Sequence, residues 1–450
     1  MATDQKSEPT TVTRPSDPAP APPRAEPASQ RSAAKLTAIF TGGNVLSTGL
    51  RFVGGILTAQ VVAPATLGMF NGVSLVLGYL TFFQLGIING LNRELPYHIG
   101  AGHREKALDL ASVTQAWSLI VGSAVAVVLL VIAAWQGMVG NWELAAGFAT
   151  VAFASFQYYF AQFYLQVTFR TGGDFARLAI VNVAHNAFAI VMIAFVWLVG
   201  FYGLCLRQLG VAIFQAVLLW IWRPLKVGLK WDWPLFRHLL RIGFPIMVVG
   251  QIWQWWTVFD ATLVLAHLGK QGLGLYTLAT VTSTTFSQLY LSTSQVIYPR
   301  MASQYGRTGR LDDLLSLSIK PTLALSAMML GSAVVGWFLM PTVARIVLPN
   351  YVEGVQAARW TLVATALMGL SPPLNIFTVV RRLELYCAAN VAGLTSYYLS
   401  LRWLGQGHPT LETFPKAMAI GYVVYLSLCF IFIYVLLRKE RRSQARGCTT

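Results

Sequence analysis

Residues 109–134 read DLASVTQAWSLIVGSAVAVVLLVIAA, and this stretch limits the chain to one class of fold. It is mostly apolar over about the 20 residues that a helix needs to cross ~30 Å of hydrocarbon. A strand of a membrane barrel would instead alternate between apolar and polar residues. Because a segment in lipid must satisfy its own backbone hydrogen bonds, the stretch is predicted to be a transmembrane helix.

Runs of the same kind recur along the chain. Of its 450 residues, 55% are hydrophobic and only 11% are charged, whereas a soluble domain carries roughly 25% charged residues. We therefore predict an all-α polytopic membrane protein with about 12 transmembrane helices. The predicted spans are 36–59, 67–91, 109–134, 143–166, 178–197, 203–222, 242–266, 273–298, 319–340, 355–380, 385–404 and 415–437.

The distribution of positive charge predicts the orientation. With the N-terminus inside, the inner segments contain 26 of the 33 Lys and Arg residues, and such residues collect in cytoplasmic loops. Both termini are therefore expected in the cytoplasm, and the net charge of +16 is attributed to topology rather than to nucleic-acid binding. Segment 1–35, rich in Pro, Ala and Ser, is predicted to be a disordered cytoplasmic tail, and 438–450 a basic cytoplasmic tail.

The connections between spans also restrict function. Every outer connection is short, at most about 14 residues, which leaves no room for an outer catalytic domain; we do not expect an enzyme. The longest inner connection, 223–241, is basic and contains Trp, as interfacial segments do. It is predicted to link an N-terminal six-helix bundle, 36–222, to a C-terminal one, 242–437. No P-loop or cluster of metal ligands is apparent, and the four cysteines lie far apart, so no cofactor is expected.

An internal repeat relates the two predicted bundles. A shift of 206 residues places 67–70 (LGMF) on 273–276 (LGLY), and the polar stripe of the second span on that of the eighth. Because the shift covers six spans, the two halves keep the same orientation in the membrane. Parallel repeats of this kind occur in transporters. The repeat predicts two six-helix bundles around a central cavity.

The first span carries the strongest candidate site. Asn44, Ser47, Thr48 and Arg51 recur at helical spacing and share one face. An Arg inside a span costs about 2.5–3.5 kcal/mol on insertion scales and usually faces a cavity or a partner. Its guanidinium also matches the geometry of a phosphate. We interpret this face as an anion-binding surface; the alternative is that Arg51 pairs with a carboxylate such as Asp260.

Asp260 is the one carboxylate well inside a predicted span, and Thr257 and Gln254 lie near it. Two interpretations stay open. Asp260 either binds a coupling Na⁺ or H⁺, or it neutralises Arg51. An ion site is energetically useful because one charge moving down the membrane potential supplies about 2.3 kcal/mol per 100 mV.

Other features are weaker. The eighth span contains TVTSTTFSQLYLSTSQ at 280–295, and so many hydroxyl groups predict a helix that lines the cavity or packs tightly. In the tenth span, Pro372 and Pro373 interrupt the helical hydrogen bonds and predict a bend. The remaining candidates for substrate binding are Arg93, Arg207, Arg359, Gln254 and Thr284.

Several stretches resemble the polysaccharide-transport flippases of the multidrug/oligosaccharidyl-lipid/polysaccharide exporter (MOP) superfamily. They include 43–60 (GNVLSTGLRFVGGILTAQ), 84–108 (QLGIINGLNRELPYHIGAGHREKAL) and 298–311 (YPRMASQYGRTGRL). The resemblance covers roughly 36–437. One position departs from it, because Gln60 stands where the family often has Arg.

The resemblance implies a flippase that exports an undecaprenyl-pyrophosphate-linked oligosaccharide from the cytoplasmic to the outer leaflet of a bacterial inner membrane by alternating access. It implies a role in exopolysaccharide or O-antigen biosynthesis, beside a glycan polymerase and chain-length machinery. Arg51 matches the helix-1 Arg that faces the cavity in related flippases, and Asp260 matches an acidic position frequent in helix 7.

Two alternatives compete with this interpretation. A multidrug cation antiporter of the same superfamily would favour cavity carboxylates over arginines, and only Asp260 qualifies. A membrane glycan polymerase or ligase would need a sizeable outer loop, and the predicted outer connections are too short for one.

Overall fold

The structure is a computed structural model that describes residues 27–172 and 174–447. Within these ranges the chain is helical and contains no β-strand. Its α-helices are α1 Pro27–Val61, α2 Pro64–Tyr79, α3 Ile87–Gly100, α4 Arg104–Met138, α5 Trp142–Gln157, α6 Gln166–Thr171, α7 Phe175–Val191, α8 Ile193–Val199, α9 Phe201–Ile221, α10 Trp233–Thr308, α11 Leu311–Val347, α12 Val355–Ala366, α13 Asn375–Val379, α14 Leu383–Gly405 and α15 Thr413–Gly447.

The predicted all-α polytopic fold is confirmed. Each predicted span coincides with a helical segment. By length and composition, seven helices of the described chain could cross a membrane, or eight if one bent pair counts as a single span. The four predicted spans outside this set are helical too: 36–59, 242–266, 273–298 and 385–404.

Several boundaries differ from the prediction. Residues 1–26 of the tail predicted as disordered lie outside the described residues. Its remainder, 27–35, is helical, because α1 begins at Pro27. The seventh and eighth spans belong to one helix, α10, which breaks at Gly269 with φ 63°. We call 233–268 and 270–308 its first and second arms.

Two further segments, the inner connection 223–241 and the basic C-terminal segment, are partly helical. The inner connection stays non-helical to Asp232, whose carboxylate accepts a hydrogen bond from the Leu235 amide (3.1 Å) and so caps α10. The basic C-terminal segment continues α15 to Gly447. Residues 448–450 lie outside the described chain, and with them Cys448; the other three cysteines are free thiols.

The bend predicted at the prolines is present. The helical segments Pro349–Leu370 and Pro372–Val379 meet at 50°. Both Pro372 and Pro373 are buried at this point. Because neither has an amide hydrogen, the α-helical ladder cannot continue through them, and the Asn375 side-chain amide donates to the Pro372 carbonyl instead (2.9 Å).

The helices pack mainly within their own half of the chain. In the first half α1 packs on α7, and α4 and α9 pack on α5; in the second half α11 and α15 pack on α12, and α14 packs on α15. The halves are joined chiefly by α2 and α3, which pack along α10. This contact therefore determines how the two halves face each other.

Two glycines bring α2 and α10 into backbone contact. A Cβ at Gly68 would overlap the Lys270 carbonyl, and a Cβ at Gly274 would overlap the Pro64 carbonyl. These contacts are equivalent under the shift of 206 residues. Asn71 and Thr277, related by the same shift, hydrogen-bond to each other (3.0 Å). The predicted repeat therefore appears as a two-fold relation between α2 and α10, and we call this part of the molecule the Gly68 end.

The halves also meet around the Gly68 end through other residues. The Gln60 side-chain amide donates to the Val347 carbonyl (3.1 Å), and the Tyr351 hydroxyl donates to the Val62 carbonyl (2.9 Å). Together with the glycine contacts, these bonds close this end of the space between the halves. Gln60 is thus a bridge between the halves, where an Arg of the resembled family would place a charge.

At the opposite end, only one side of the space is closed. A Cβ at Gly243 of α10 would overlap the Gly86 carbonyl, and Glu94 of α3 lies 3.2 Å from the ring nitrogen of His238. We call this the Gly86 end. Within the described part of the chain, α1 makes little contact with α10, and Arg51 of α1 and Gln288 of α10 are exposed. Among the described residues, no contact comparable to that of α3 with the first arm of α10 closes the side between α1 and the second arm.

Substitution of Gly68 or Gly274 by Ala tests the glycine contact. Either Cβ meets backbone, which cannot rotate away, and overpacking of this kind typically costs ~1–3 kcal/mol. We expect a lower melting temperature of the detergent-purified protein. Gly331→Ala is the control, because a Cβ at Gly331 meets nothing within 4 Å. Equal melting temperatures for Gly68→Ala and Gly331→Ala would contradict the contact.

Candidate functional site

A basic cluster lies in the first half of the chain. Arg51 on α1 and Arg207 on α9 both interact electrostatically with His185 on α7. The Nη2 atom of Arg207 would lie 3.7 Å from a Cβ at Gly54, so its guanidinium reaches α1 one turn beyond Arg51. The sequence predicted Arg51 and Arg207 as separate candidates. The structure brings them together around His185.

The partners of this cluster leave its charge uncompensated. The Arg207 Nε donates to the Ala189 carbonyl (2.8 Å), and the buried Nδ1 of His185 has no hydrogen-bond partner in the structure. Arg51 is exposed. Among the salt bridges of the described residues, none involves Arg51 or Arg207. The cluster can therefore attract an anion, and a pair of guanidinium groups suits a phosphate.

The predicted polar face of α1 is only partly open. Ser47 is buried, and its hydroxyl accepts a hydrogen bond from the Asn186 side-chain amide (2.7 Å). In this structure its short side chain thus lies in the contact between α1 and α7. Thr48 is half-buried, and the side chain of Asn44 lies outside those described. Arg51 is the member of this face that is exposed.

Asp260 lies in the second half and does not pair with Arg51. It is buried on the first arm of α10, where the Tyr397 hydroxyl donates to its Oδ1 (2.7 Å) and the Tyr276 hydroxyl also hydrogen-bonds to it. No ion pair to Asp260 occurs among the described residues. Of the two interpretations left open by the sequence, the structure excludes direct neutralisation of Arg51 in this conformation.

A small polar pocket adjoins the Asp260 carboxylate. Its volume is about 10 Å³, which is about the space that one water molecule requires. Besides Asp260, hydroxyl-bearing side chains from both arms of α10, from α12 and from α15 line it: Thr257, Tyr276, Thr280, Ser283, Thr361 and Tyr422. The pocket offers oxygen atoms and one carboxylate, as a proton or a small hard cation requires.

The other predicted residues lie apart from both sites. Arg93 is exposed on α3, and its Nε lies 3.9 Å from the Glu94 carboxylate. Arg359 stacks on Trp337, with its guanidinium carbon 4.2 Å from the ring centroid, and so faces a partner within the second half. The structure does not bring Arg93 or Arg359 to the basic cluster.

Gln254 and Thr284, on the two arms of α10, are both exposed. The Thr284 hydroxyl donates to the Thr280 carbonyl (3.0 Å). Thr284 is thus exposed, as Arg51 is, and lines neither of the pockets described here.

The residues that contact the predicted ones most directly, His185, Tyr276 and Tyr397, were not among the predicted site residues. His185 had no predicted role in binding, although it lies between two arginines. Tyr276 and Tyr397 hold Asp260 but are far from it in the chain, and Tyr397 is on α14. No local sequence pattern indicates that Tyr397 contacts Asp260. Tyr276 does stand in the repeated LGLY segment.

The fold is shared with solved transporter structures. An inward-facing multidrug resistance MATE transporter of the MOP superfamily is 16% identical, with a TM-score of 0.63 over 88% of this chain and 96% of that chain. The outward-facing conformation of such a transporter is 18% identical, with a TM-score of 0.61 over 91% and 96%. A Pyrococcus furiosus transporter of the superfamily, for which reverse polarity of the binding pocket suggests a different function, is 17% identical, with a TM-score of 0.64 over 90% and 95%.

Sequence comparison identifies the family. No curated protein matches the chain. The family model described as "Polysaccharide biosynthesis protein" matches residues 59–344, which is more than half of the chain and covers α2 to α10 completely. The protein therefore belongs to the polysaccharide biosynthesis protein family and has the fold of the MOP superfamily transporters.

Proposed function

We propose that this transporter exports a lipid-linked glycan. The substrate is an oligosaccharide repeat unit joined by pyrophosphate to undecaprenol, which moves across a bacterial inner membrane by alternating access for the synthesis of a surface polysaccharide. The observation that carries the proposal is the pair of Arg51 on α1 and Arg207, whose guanidinium reaches α1 at Gly54; no ion pair among the described residues compensates either charge. A pyrophosphate diester carries two negative charges, and two guanidinium groups can bind it through paired hydrogen bonds.

The low polarity of the surroundings supports this assignment. Opposite charges attract more strongly inside a protein than in water, so the cluster can compensate the loss of hydration of a pyrophosphate that leaves the membrane surface. Arg51 is exposed, and Arg207 is half-buried with its guanidinium against α1 at Gly54. The two residues thus offer one accessible contact and one deeper contact to the same anion.

The shape of the space between the halves fits loading from the Gly86 end. If the charge bias places this end in the cytoplasm, the structure corresponds to a conformation open to the cytoplasmic leaflet. The side between α1 and the second arm of α10, where few contacts join the two helices, would let the headgroup enter from the membrane. Closure of this side and separation of the Gly68 end would complete the cycle.

Asp260 is the proposed coupling site. A buried carboxylate without a cationic side-chain partner is stabilised by binding H⁺ or Na⁺, and the adjoining 10 Å³ pocket provides room for one small ion. Because Asp260 hydrogen-bonds to Tyr397 of α14 and Tyr276 of the second arm, ion binding there would change contacts between helices of the second half.

The charge distribution favours an anionic substrate over a drug cation. A cation antiporter would place accessible carboxylates in the space between the halves, whereas Asp260 is buried and Arg51 is exposed. One structural relative is likewise associated with reverse polarity of its binding pocket. The reversed polarity is a property of that protein, and it agrees with the anionic rather than cationic substrate proposed here.

Arg51→Ala is expected to reduce export of the lipid-linked glycan. Hydrogen bonds to charged groups contribute about 1.5–3 kcal/mol each, which corresponds to roughly a tenfold to hundredfold loss. Arg51→Lys retains the charge but not the planar fork and should export at an intermediate rate. The measurement is surface polysaccharide in a strain that lacks the native gene, normalised to the amount of protein in the membrane.

Arg402→Ala is the matched control for this experiment. Arg402 is exposed on α14 and belongs neither to the basic cluster nor to the Asp260 site. Its substitution should leave export unchanged. Export by Arg51→Ala equal to that of Arg402→Ala, at the same membrane abundance, would refute the proposed anion site.

Asp260→Asn is expected to uncouple transport from an ion gradient. In proteoliposomes, the unsubstituted protein should respond to an imposed gradient of either H⁺ or Na⁺, and the variant to neither, because the amide cannot exchange a proton and is a weaker cation ligand. Glu353→Gln is the control, because Glu353 is exposed and lies just after α11; this variant should retain the response. A gradient response in Asp260→Asn would contradict the coupling role.

A further inference from the structure

A second, larger pocket lies between the two halves, away from the basic cluster. Its volume is about 500 Å³, within the range of about 300–1,000 Å³ that is common for organic ligands. Aromatic side chains dominate its wall: Tyr79 and Phe82 at the end of α2, Trp255 and Phe259 on the first arm of α10, and Tyr398 on α14. We call it the aromatic pocket. None of its lining residues takes part in the site proposed above.

The aromatic pocket lies at the depth of the hydrocarbon. At 1.5 Å per residue of helix, Trp255 lies about 21 Å before the break at Gly269, and Tyr398 lies about 10 Å before the end of α14 at Gly405. Both breaks are near the Gly68 end of the second half. A bilayer core is ~30 Å thick, so the pocket spans the middle of the membrane, where an apolar ligand is favoured.

The contacts in its wall connect the two halves. The Tyr79 hydroxyl hydrogen-bonds to the Thr262 hydroxyl of α10 (2.7 Å), and the rings of Phe82 and Trp255 lie 5.0 Å apart. A ligand in the pocket therefore touches helices from both halves. Its binding would depend on their relative position, unlike that of a lipid on the outer surface of one half.

The internal repeat shows that the aromatic residues of the pocket have no aromatic equivalents in the other half of the repeat. Under the shift of 206 residues, Tyr79 and Phe82 correspond to Thr285 and Gln288, and Trp255 and Phe259 correspond to Gly49 and Val53. These four residues, on α1 and the second arm of α10, are all exposed. The two equivalent sides thus differ: one is aromatic, and the other has no aromatic residue at the four equivalent positions and adjoins Arg51.

We propose that the aromatic pocket binds the polyisoprenoid tail of the lipid-linked substrate while its pyrophosphate binds at the basic cluster. The inference rests on the proposed function. A lipid-linked glycan must keep its tail in an apolar environment throughout transport, and the pocket provides one that contacts both halves. A tail bound there would tether the attached headgroup to the transporter and so raise its local concentration between the halves.

The test measures how binding depends on tail length. The full chain is reconstituted in nanodiscs and titrated with undecaprenyl phosphate and with farnesyl phosphate, which share a headgroup and differ in the length of the tail. The unsubstituted protein should bind the long-tailed phosphate at least tenfold more tightly. The double variant Trp255→Ala, Phe259→Ala should lose most of this preference. Trp403→Ala should keep it, because Trp403 is 74% exposed on α14 and lies outside the pocket.

A second variant protects the test against misfolding. Thr395→Phe adds a ring to the pocket wall and should fill the pocket without removing core side chains, with the same loss of preference. Retention of the preference in both variants would overturn the proposal. So would equal displacement of undecaprenyl phosphate by phosphatidylglycerol, because the pocket would then be a general lipid site.

The two proposals fail in distinguishable ways. Arg51→Ala should weaken binding of both phosphates by a similar factor and leave the preference for the long tail. If the pocket variants keep the preference while Arg51→Ala abolishes glycan export, the tail site is wrong and the proposed function stands. If export is unaffected by Arg51→Ala, the proposed function fails whatever the pocket variants show.

Discussion

The close approach of α2 to α10 at Gly68 and Gly274 is the contact on which the arrangement of the halves depends. Each glycine lies on a carbonyl of the opposite helix, so the two backbones meet with no side chain between them. Small residues are the usual means by which membrane helices approach closely. The hydrogen bond between Asn71 and Thr277 fixes the register of this contact. The aromatic pocket, which residues of both halves line, depends on how the halves diverge from this contact.

Around this two-fold relation, the repeat places opposite chemistry at equivalent positions. Gly54, against which the Arg207 guanidinium lies, corresponds to Asp260 under the shift of 206 residues, and Arg51 corresponds to Thr257 of the small polar pocket. One half therefore presents uncompensated positive charge and the other a buried carboxylate. An anionic substrate and a coupling cation could thus occupy separate halves without competing for one site, which suits a transporter that couples their movements.

The sequence was sufficient for features that depend on local composition or on the repeat. Apolar runs predicted the helices, the register of 206 residues appears in the contacts of Gly68 and Gly274, and Pro372 and Pro373 lie at the observed bend. It was insufficient for side-chain partners from distant helices. Ser47 shares a helical face with Arg51, yet Asn186 of α7 binds its hydroxyl. Tyr397, whose hydroxyl binds Asp260, is 137 residues away along the chain, and the periodicity within one helix does not predict contacts at such a separation.

The central claim is that the first half of this transporter binds the pyrophosphate of a lipid-linked glycan. The most direct measurement is a cryo-electron microscopy structure of the protein in nanodiscs with an undecaprenyl-pyrophosphate-linked oligosaccharide. The account predicts phosphate density within hydrogen-bonding distance of the Arg51 and Arg207 guanidinium groups, on the side of α1 that faces the space between the halves. Phosphate density elsewhere between the halves, with both guanidinium groups unoccupied, would contradict it.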